Sequence, residues 1–237
     1  MSLLEFEDVS KVCRTGARER VALRNVSFRL EAGEHVTVWG ERHSGRSTLL
    51  RIAAGVEKAG EGIVRFQGRD LNGRDAEQLR SHIGYCRKTF RQDGGRYVLD
   101  QLVTGQLMRG GSAASARSRV LAALERSGVL RCARHRPADL DSSEAARVVI
   151  ARALAHQPKL LIIDEPTLGV NLLERDSILS LLHSLAREGI AVLTSAGDAS
   201  CLAGADRALS MSDGELVGKH EPGELAAIVP LRRSAAR

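Results

Sequence analysis

Two short segments of the sequence combine residue types that suit phosphate and metal chemistry. The first, residues 40–48, reads GERHSGRST and follows the apolar run HVTVW. Small residues in such a loop allow backbone N–H groups to converge on phosphate oxygens at the start of the next helix. Gly40 and Gly45 match the glycines of the pattern G-x-x-x-x-G-K-[ST], and Ser47 stands where a hydroxyl binds Mg²⁺. Arg46 replaces the lysine, so this segment alone leaves both phosphate binding and an ordinary strand–turn–helix open.

The second segment, residues 160–166, reads LLIIDEP and predicts an apolar strand that ends in two acids. Both carboxylates would lie at the carboxyl edge of the sheet, where the ligands of such folds bind. Asp164 is predicted to organise Mg²⁺, and Glu165 to orient or deprotonate an attacking water. The alternative is a buried strand followed by solvated acids. The glycine loop upstream favours the catalytic interpretation.

Hydrophobic periodicity predicts the elements that position the phosphate loop. The alternation in NVSFRL is typical of a half-buried strand, and HVTVW predicts a second strand that runs into the loop. Residues 46–54 are predicted to form a helix that ends at Gly55. Further short strands are predicted at GIVRFQG and HIGYC.

The second half of the chain predicts helices and one buried strand. Helices are predicted at ASARSRVLAALERSGV, ending at Gly128, and at residues 147–155. KLLIID is a continuous apolar run that suits a buried parallel strand. A helix at 172–187 and a strand at 190–194 are expected to follow, and Asp213-Gly214 predicts a hairpin turn.

This order of elements predicts an α/β fold with a mainly parallel core sheet, interrupted by an inserted helical subdomain. We expect one domain over residues 1–237. Its core comprises approximately residues 1–90 and 156–220, and its helical subdomain approximately residues 91–155. Residues 221–237 are predicted to be a C-terminal tail.

Composition narrows the class of function. Aromatic residues make up 3% of the chain, which does not favour a base-stacking nucleic-acid surface. The net charge of +6 is compatible with an anionic membrane surface, a nucleotide or a nucleic acid nearby, but a solvated basic face is the favoured interpretation. The four cysteines are far apart and fit neither a disulfide framework nor a zinc site, and the histidines show no ligand spacing. Without a signal peptide or a run of about 20 apolar residues, the sequence predicts a cytoplasmic protein. Any membrane role is then expected to pass through a partner.

Several segments together resemble the ATP-binding subunits of the ABC transporter family. They are LRNVSFRLEAGE before the loop, LRSHIGYC, RVVIARALAHQPKLLIIDEPT, GVN and VLTSAGD, in family order across the chain. The resemblance implies a P-loop NTPase core with N-terminal antiparallel strands, with ATP and Mg²⁺ as cofactors. It also implies a head-to-tail homodimer or heterodimer on a transmembrane permease subunit, at the inner face of the cell membrane.

The resemblance also implies functional residues. Ser47 and Asp164 would bind Mg²⁺, and Glu165 would be the catalytic base. In the family each signature motif completes the nucleotide site of the partner subunit; here that motif is LDSSE. The implied phosphate-loop residues are Gly40, Glu41, Arg42, His43, Ser44, Gly45, Arg46, Ser47 and Thr48. The implied signature residues are Leu140, Asp141, Ser142, Ser143 and Glu144.

Other nucleotide-site positions depart from the family pattern. Cys13 lies where an aromatic residue usually stacks on adenine, and Lys88 occupies the Q-loop glutamine position, with Gln92 as a substitute in another register. Asn171 replaces the D-loop aspartate, and Ser195 is expected where a histidine senses the γ-phosphate.

These departures favour ATP binding with impaired hydrolysis. Arginine is planar and forked where lysine is a compact charge, and phosphoryl transfer depends on positioning. His43 adds a Cβ where the family has glycine, and Asp141 would repel a polyanion. Ser142 and Ser143 are expected to cap the following helix. The alternative is a non-catalytic regulatory or scaffolding pseudo-ATPase; an ABC-type protein acting on DNA or translation is disfavoured.

Overall fold

Ten strands and six α-helices form the part of the chain that the structure, a computed structural model, describes: residues 2–15, 18–86, 95–108, 110 and 112–220. The strands are β1 Ser2–Thr15, β2 Arg18–Glu31, β3 His35–Trp39, β4 Glu61–Phe66, β5 Arg69–Asp70, β6 Ile83–Cys86, β7 Leu160–Ile163, β8 Ala191–Ala196, β9 Arg207–Ser212 and β10 Glu215–His220. The helices are α1 Arg46–Ala53, α2 Ala76–Arg80, α3 Val98–Leu107, α4 Ala113–Arg126, α5 Ser142–Leu154 and α6 Leu172–Arg187. Short 3₁₀ helices span Leu130–Arg134, Pro137–Asp139 and Ala199–Leu202.

The strands build two sheets of different character. The four-stranded sheet, in the order β2-β1-β4-β5, is antiparallel throughout. The six-stranded sheet has the order β10-β9-β3-β8-β7-β6, and its strands are parallel except for β10. The predicted α/β fold with a mainly parallel sheet and N-terminal antiparallel strands is confirmed.

Strand β7 is buried on both faces, which explains its unbroken apolar sequence. Successive strand side chains point to opposite faces. Leu160 and Ile162 therefore join the core cluster that contains Leu49 and Leu50 of α1. Leu161 and Ile163 join a second cluster with residues of α5 and α6. The end of β7 is thus fixed between two packed layers.

Most predicted elements lie where the sequence placed them, and the differences have local causes. HVTVW is β3, and the helix predicted at 172–187 is α6. Asp213 and Gly214, with φ of 47° and 86°, form the predicted turn between β9 and β10. The strand predicted at 190–194 is β8, Ala191–Ala196.

The helix predicted at 147–155 begins earlier, at Ser142, because Asp141 caps it. Ser142 thus begins the helix, as expected, but the capping role expected for Ser142 and Ser143 is wrong, because Asp141 is the cap. Helices α3, α4 and α5 lie between β6 and β7 in the chain, as an inserted helical segment would. The domain boundaries near residues 91 and 156 stay a prediction. No helix within the described ranges combines the length and the apolar character that a bilayer crossing requires.

Candidate nucleotide site

The loop between β3 and α1 has a backbone that glycine makes possible. Gly45, directly before α1, has a φ of 106°, and a Cβ there would lie 2.3 Å from the carbonyl oxygen of Ala22. A Cβ on Gly40 would lie 2.1 Å from the carbonyl oxygen of Met211. His43 has a φ of 71°, a conformation that side chains other than glycine rarely adopt. The loop therefore keeps a left-handed residue at position 43 despite the imidazole.

Hydrogen bonds to the backbone of this loop connect it to both sheets. The Gly214 N–H donates to the carbonyl oxygen of Ser44 at 2.9 Å, and the Arg24 N–H donates to that of Gly214 at 2.8 Å. The guanidinium of Arg20 donates to the carbonyl oxygen of His43. The loop is thus held by β2 and by the turn between β9 and β10, and not only by its own strand and helix.

A cavity of about 580 Å³ opens above the loop. Of the residues expected at the phosphates, His43 to Thr48 line it, and so does Cys13, the residue expected at the adenine. Glu41 and Arg42 are exposed beside it. The remaining lining residues are Glu19, Arg20 and Ala22. The first turn of α1 has no acidic residue, which leaves its partial positive charge available to an anion.

Asp164 and Glu165 follow β7 directly and share one serine. The Ser195 hydroxyl donates to Oδ1 of Asp164 at 2.7 Å and accepts the backbone N–H of Glu165 at 2.9 Å. Glu165 has a φ of 51°, so its backbone turns sharply at the end of the strand. Ser195 and Asp164 are both buried. Strand β8 therefore fixes the geometry of the paired acids through this hydroxyl.

Arg46 connects the loop to these acids. Its Nη2 donates to Oε1 of Glu165 at 3.2 Å, and the arginine side chain is only 7% exposed. Its other terminal nitrogen, Nη1, is buried, as is Oγ of Ser44, and neither has a hydrogen-bond partner among the described residues. Buried donors are almost always satisfied in proteins. Arg46 and Ser44 line the cavity, so an anion that binds there would lie close to these two unpaired donors.

Position 197, rather than 195, faces the Arg46–Glu165 ion pair. Ser195 lies within β8 with its hydroxyl on the acids, whereas Gly197 is the first residue after this strand. A Cβ on Gly197 would lie 3.9 Å from Nη2 of Arg46. Gly197 was not among the site residues predicted from the sequence. The sequence signal that could have indicated it is its position directly after an apolar strand, β8, which pairs with β7.

The signature segment is ordered by helix capping. The Asp141 carboxylate accepts the Glu144 N–H at 2.7 Å, and the Glu144 carboxylate accepts the Asp141 N–H at 3.2 Å. Ser143 is buried in the first turn of α5, after the exposed Ser142 and the half-buried Leu140. The lining of the cavity, within the described ranges, includes no residue of this segment.

The D-loop and Q-loop positions are the remaining predicted parts of the nucleotide site. Asn171 caps α6, because its side chain accepts the Glu174 N–H at 3.0 Å. Lys88 and Gln92 lie outside the described residues. Three further lining residues were not predicted from the sequence, because they reach the cavity only where β2 passes beside the loop: Glu19, Arg20 and Ala22.

Comparison with known proteins identifies this arrangement. The family described as ABC transporter matches residues 23–168, more than half of the chain. The chain belongs to the ABC transporter family. It is 34% identical to the cell division ATP-binding protein FtsE of Escherichia coli K12, over 91% of this chain and 98% of that protein. It is 33% identical to the ABC transporter ATP-binding protein YbbA of the same strain, over 91% and 96%.

Solved structures agree with the sequence relatives. The dimeric cassette MJ0796 has a TM-score of 0.80 and 27% identity, covering 92% of this chain and 98% of that chain. The protein cbiO1 of Clostridium perfringens, part of a transporter complex, has a TM-score of 0.84 and 25% identity, covering 95% and 91%. Cassettes of this family generally bind ATP or ADP with Mg²⁺, dimerise and work with membrane permease components. The chain is accordingly an ATP-binding component of an ABC transporter complex.

Proposed function

We propose that this subunit binds ATP with Mg²⁺ at the loop of residues 40–48 and hydrolyses it slowly. The observation that carries this proposal is the ion pair between Arg46 and Glu165, 3.2 Å apart and largely buried. One terminal nitrogen of Arg46 holds Glu165, while the other is a buried donor with no partner among the described residues. The same side chain therefore supports phosphate binding and restrains the expected base.

Binding would use the backbone N–H groups of the loop and the N-terminus of α1. Nη1 of Arg46 and Oγ of Ser44 would add two buried donors, since both lack partners in the described ranges. Ser47, which lines the cavity, and Asp164 would hold the metal ion. When bound, Mg²⁺ would neutralise negative charge that develops during phosphoryl transfer.

Hydrolysis would be slow because Glu165 is already engaged. A carboxylate oxygen that accepts a guanidinium hydrogen bond is less available to orient water or to accept its proton. The planar fork of arginine makes this contact from the loop, whereas a lysine ammonium is a single compact point charge. Gly197 offers no side chain beside the pair to assist or replace the base.

The proposed assembly follows from the family. The chain would dock on a separate transmembrane permease subunit at the cytoplasmic face of the membrane. It would pair head to tail with a second ATP-binding subunit, either a copy of itself or a different chain. Asp141 would then approach the nucleotide of the partner, although its carboxylate is already bound to the N-terminus of α5.

A non-catalytic scaffold that needs no nucleotide is the second candidate. The observation that favours it is the burial of Arg46, whose side chain, 7% exposed, already fills space between the loop and Glu165. Isothermal titration calorimetry with ATP and Mg²⁺ separates the two functions. We expect micromolar binding; a protein that binds no ATP at millimolar concentration would be the scaffold.

The slow-hydrolysis part needs a separate experiment. The subunit would be co-purified with its membrane partner, and ATP turnover compared between the natural chain and Glu165→Gln. We expect a low rate that Glu165→Gln lowers further, with ATP binding retained. Brisk turnover by the natural chain, abolished by Glu165→Gln, would show that the ion pair does not restrain the base.

A further inference from the structure

A second cluster of chemically active side chains lies on the helical segment, outside the nucleotide cavity. Ligand atoms of Cys132, His135 and Glu144 all lie within 4.8 Å of one another. Cys132 is buried, Glu144 is half-buried and His135 is exposed. The sequence-based expectation that the cysteines fit no zinc site and the histidines no ligand spacing did not consider these three together. The third residue comes from another helix.

Local backbone geometry places Cys132 and His135 side by side. Residues Leu130–Arg134 form a 3₁₀ helix, and the His135 N–H donates to the carbonyl oxygen of Cys132 at 2.9 Å. A 3₁₀ helix has three residues per turn, so side chains at i and i+3 lie on the same side. The His135 carbonyl oxygen also accepts the Val98 N–H at 3.0 Å, which fixes this turn against α3.

Glu144 approaches the turn from the N-terminus of α5. The reciprocal capping bonds with Asp141 hold its backbone and its carboxylate. Its other oxygen, Oε1, accepts a hydrogen bond from Arg131 at 3.0 Å, and a metal ion would have to displace this exposed arginine side chain from the carboxylate. The site therefore joins a C-x-x-H turn to the segment that contains the signature residues.

The donor set selects the class of metal. Thiolate, imidazole and carboxylate together suit Zn²⁺, whereas Mg²⁺ and Ca²⁺ prefer oxygen ligands alone. Metal–ligand bonds of about 2.0–2.3 Å place tetrahedral ligand atoms about 3.5 Å apart. The observed spread is at most 4.8 Å, so side-chain rotation would have to bring the ligand atoms closer by up to about 1.3 Å. The exposed ring of His135 has room for that rotation.

We propose that Cys132, His135 and Glu144 bind one Zn²⁺ ion, or a similar divalent transition metal, with a fourth position open to water. Binding would link the 3₁₀ turn to the first turn of α5 and thereby stiffen residues 140–144. Burial and the neighbouring Glu144 raise the pKa of the Cys132 thiol to about 11 in the absence of metal. A cation beside the sulfur would offset that cost. The site is independent of the proposed nucleotide chemistry.

The test uses the full chain, reduced, treated with chelator and kept free of nucleotide. Titration with Zn²⁺ is followed by calorimetry, and titration with Co²⁺ by its sulfur-to-metal absorption band. We expect one ion per chain, a melting temperature that rises with Zn²⁺, and a Co²⁺ band that Cys132→Ala abolishes. His135→Ala is expected to weaken Zn²⁺ binding at least about tenfold.

Two variants keep the result interpretable. His135 is exposed, so His135→Ala should fold even if Cys132→Ala, in the core, does not. Cys201→Ala is the matched control, because Cys201 is a half-buried free thiol far along the chain from this turn, and it should bind Zn²⁺ as the natural chain does. The proposal is overturned if the natural chain binds no Zn²⁺, if His135→Ala binds it with unchanged affinity, or if Cys132→Ala keeps the cobalt band.

Discussion

The two sides of the nucleotide site differ in how completely their polar groups are satisfied. On the acid side, one buried hydroxyl joins Asp164 to the backbone of Glu165. On the loop side, Ser44 Oγ and Arg46 Nη1 are buried donors without partners among the described residues, and His43 adopts a left-handed backbone. The acids are thus held in place by the protein itself, whereas the loop is left to be completed by an anion. Arg46 joins the two sides through its hydrogen bond to Glu165.

The largest expected effect comes from filling the loop with one methyl group. Gly45→Ala would put a Cβ 2.3 Å from the Ala22 carbonyl oxygen, at a φ of 106°. We expect the free energy of unfolding to fall by about 3 kcal/mol or more, and ATP binding to be lost. Urea denaturation and calorimetry measure the two effects.

Gly189→Ala is the matched control, because Gly189 has a φ of 98° and nothing within 4 Å of its added Cβ. An alanine there has the backbone strain without the steric clash, so we expect the free energy of unfolding to fall by only about 1 kcal/mol. Equal losses in the two variants would show that the loop is not held against β2 as tightly as the structure indicates.

Acid should weaken the frame that both sides share. His35 in β3 contacts Thr194 of β8, and burial lowers the pKa of its imidazole from 6.5 to about 4. A hydrogen bond to the Gly204 backbone and the charge of Asp206 raise this pKa in part, whereas His183 lowers it further. Between pH 6.5 and about pH 4, the unfolded chain therefore binds a proton at His35 that the folded chain does not bind. Stability present above pH 6.5 is lost as pH falls toward 4, by up to about 3 kcal/mol.

Urea denaturation between pH 4 and pH 7 measures this slope. In the variant His35→Gln, the slope of unfolding free energy against pH in that window should fall by the equivalent of about one bound proton. An unchanged slope in the variant would assign the acid sensitivity to other groups.

Ser195→Ala tests the acid side alone. The variant removes the hydroxyl that Asp164 and the Glu165 N–H both use, at a cost of about 1–3 kcal/mol in unfolding free energy. Since Asp164 would also lose its orientation, we expect ATP affinity in the presence of Mg²⁺ to fall about tenfold. Ser210→Ala, another buried serine of the same sheet, should lower stability and leave ATP affinity unchanged. The same affinity loss in both variants would contradict a specific role for Ser195.

The smallest effect is expected at Gly197. A Cβ there would stand 3.9 Å from Nη2 of Arg46, which is an ordinary contact. Gly197→Ala should therefore change unfolding free energy by less than about 0.5 kcal/mol and leave ATP affinity within about twofold. Thermal melting and calorimetry measure both. A large loss of stability or of ATP affinity would mean that the fold or the nucleotide requires the space beside the ion pair to stay free of a side chain.

Local signals in the sequence predicted most of the core strands, the longer helices and the phosphate loop, but not strand β1 or helix α2. HVTVW, the Asp213-Gly214 turn and the helix at 172–187 all carry periodicity or turn residues that act over a few positions. The start of α5 was predicted too late, because the capping box of Asp141 was not recognised. The long α5 shows how one cap can extend a helix beyond its apolar pattern.

Contacts between distant segments could not be predicted in the same way. The Arg46–Glu165 ion pair joins residues 119 positions apart. That Arg46 pairs with Glu165 depends on how the side chains pack in the folded chain. By resemblance, Ser195 was expected where a histidine senses the γ-phosphate, yet its hydroxyl points to Asp164 while Gly197 faces the ion pair. Cys132, His135 and Glu144 meet only because a 3₁₀ turn packs beside α5.

The most direct measurement is the turnover rate of bound ATP in the natural complex and in one carrying Arg46→Lys. Lysine would keep the charge at the loop and release Glu165 from the guanidinium fork. We expect ATP affinity to stay within about tenfold and turnover to rise at least about tenfold, since positioning governs this chemistry. If Arg46→Lys binds ATP but turns it over no faster than the natural chain, the ion pair is not what limits hydrolysis.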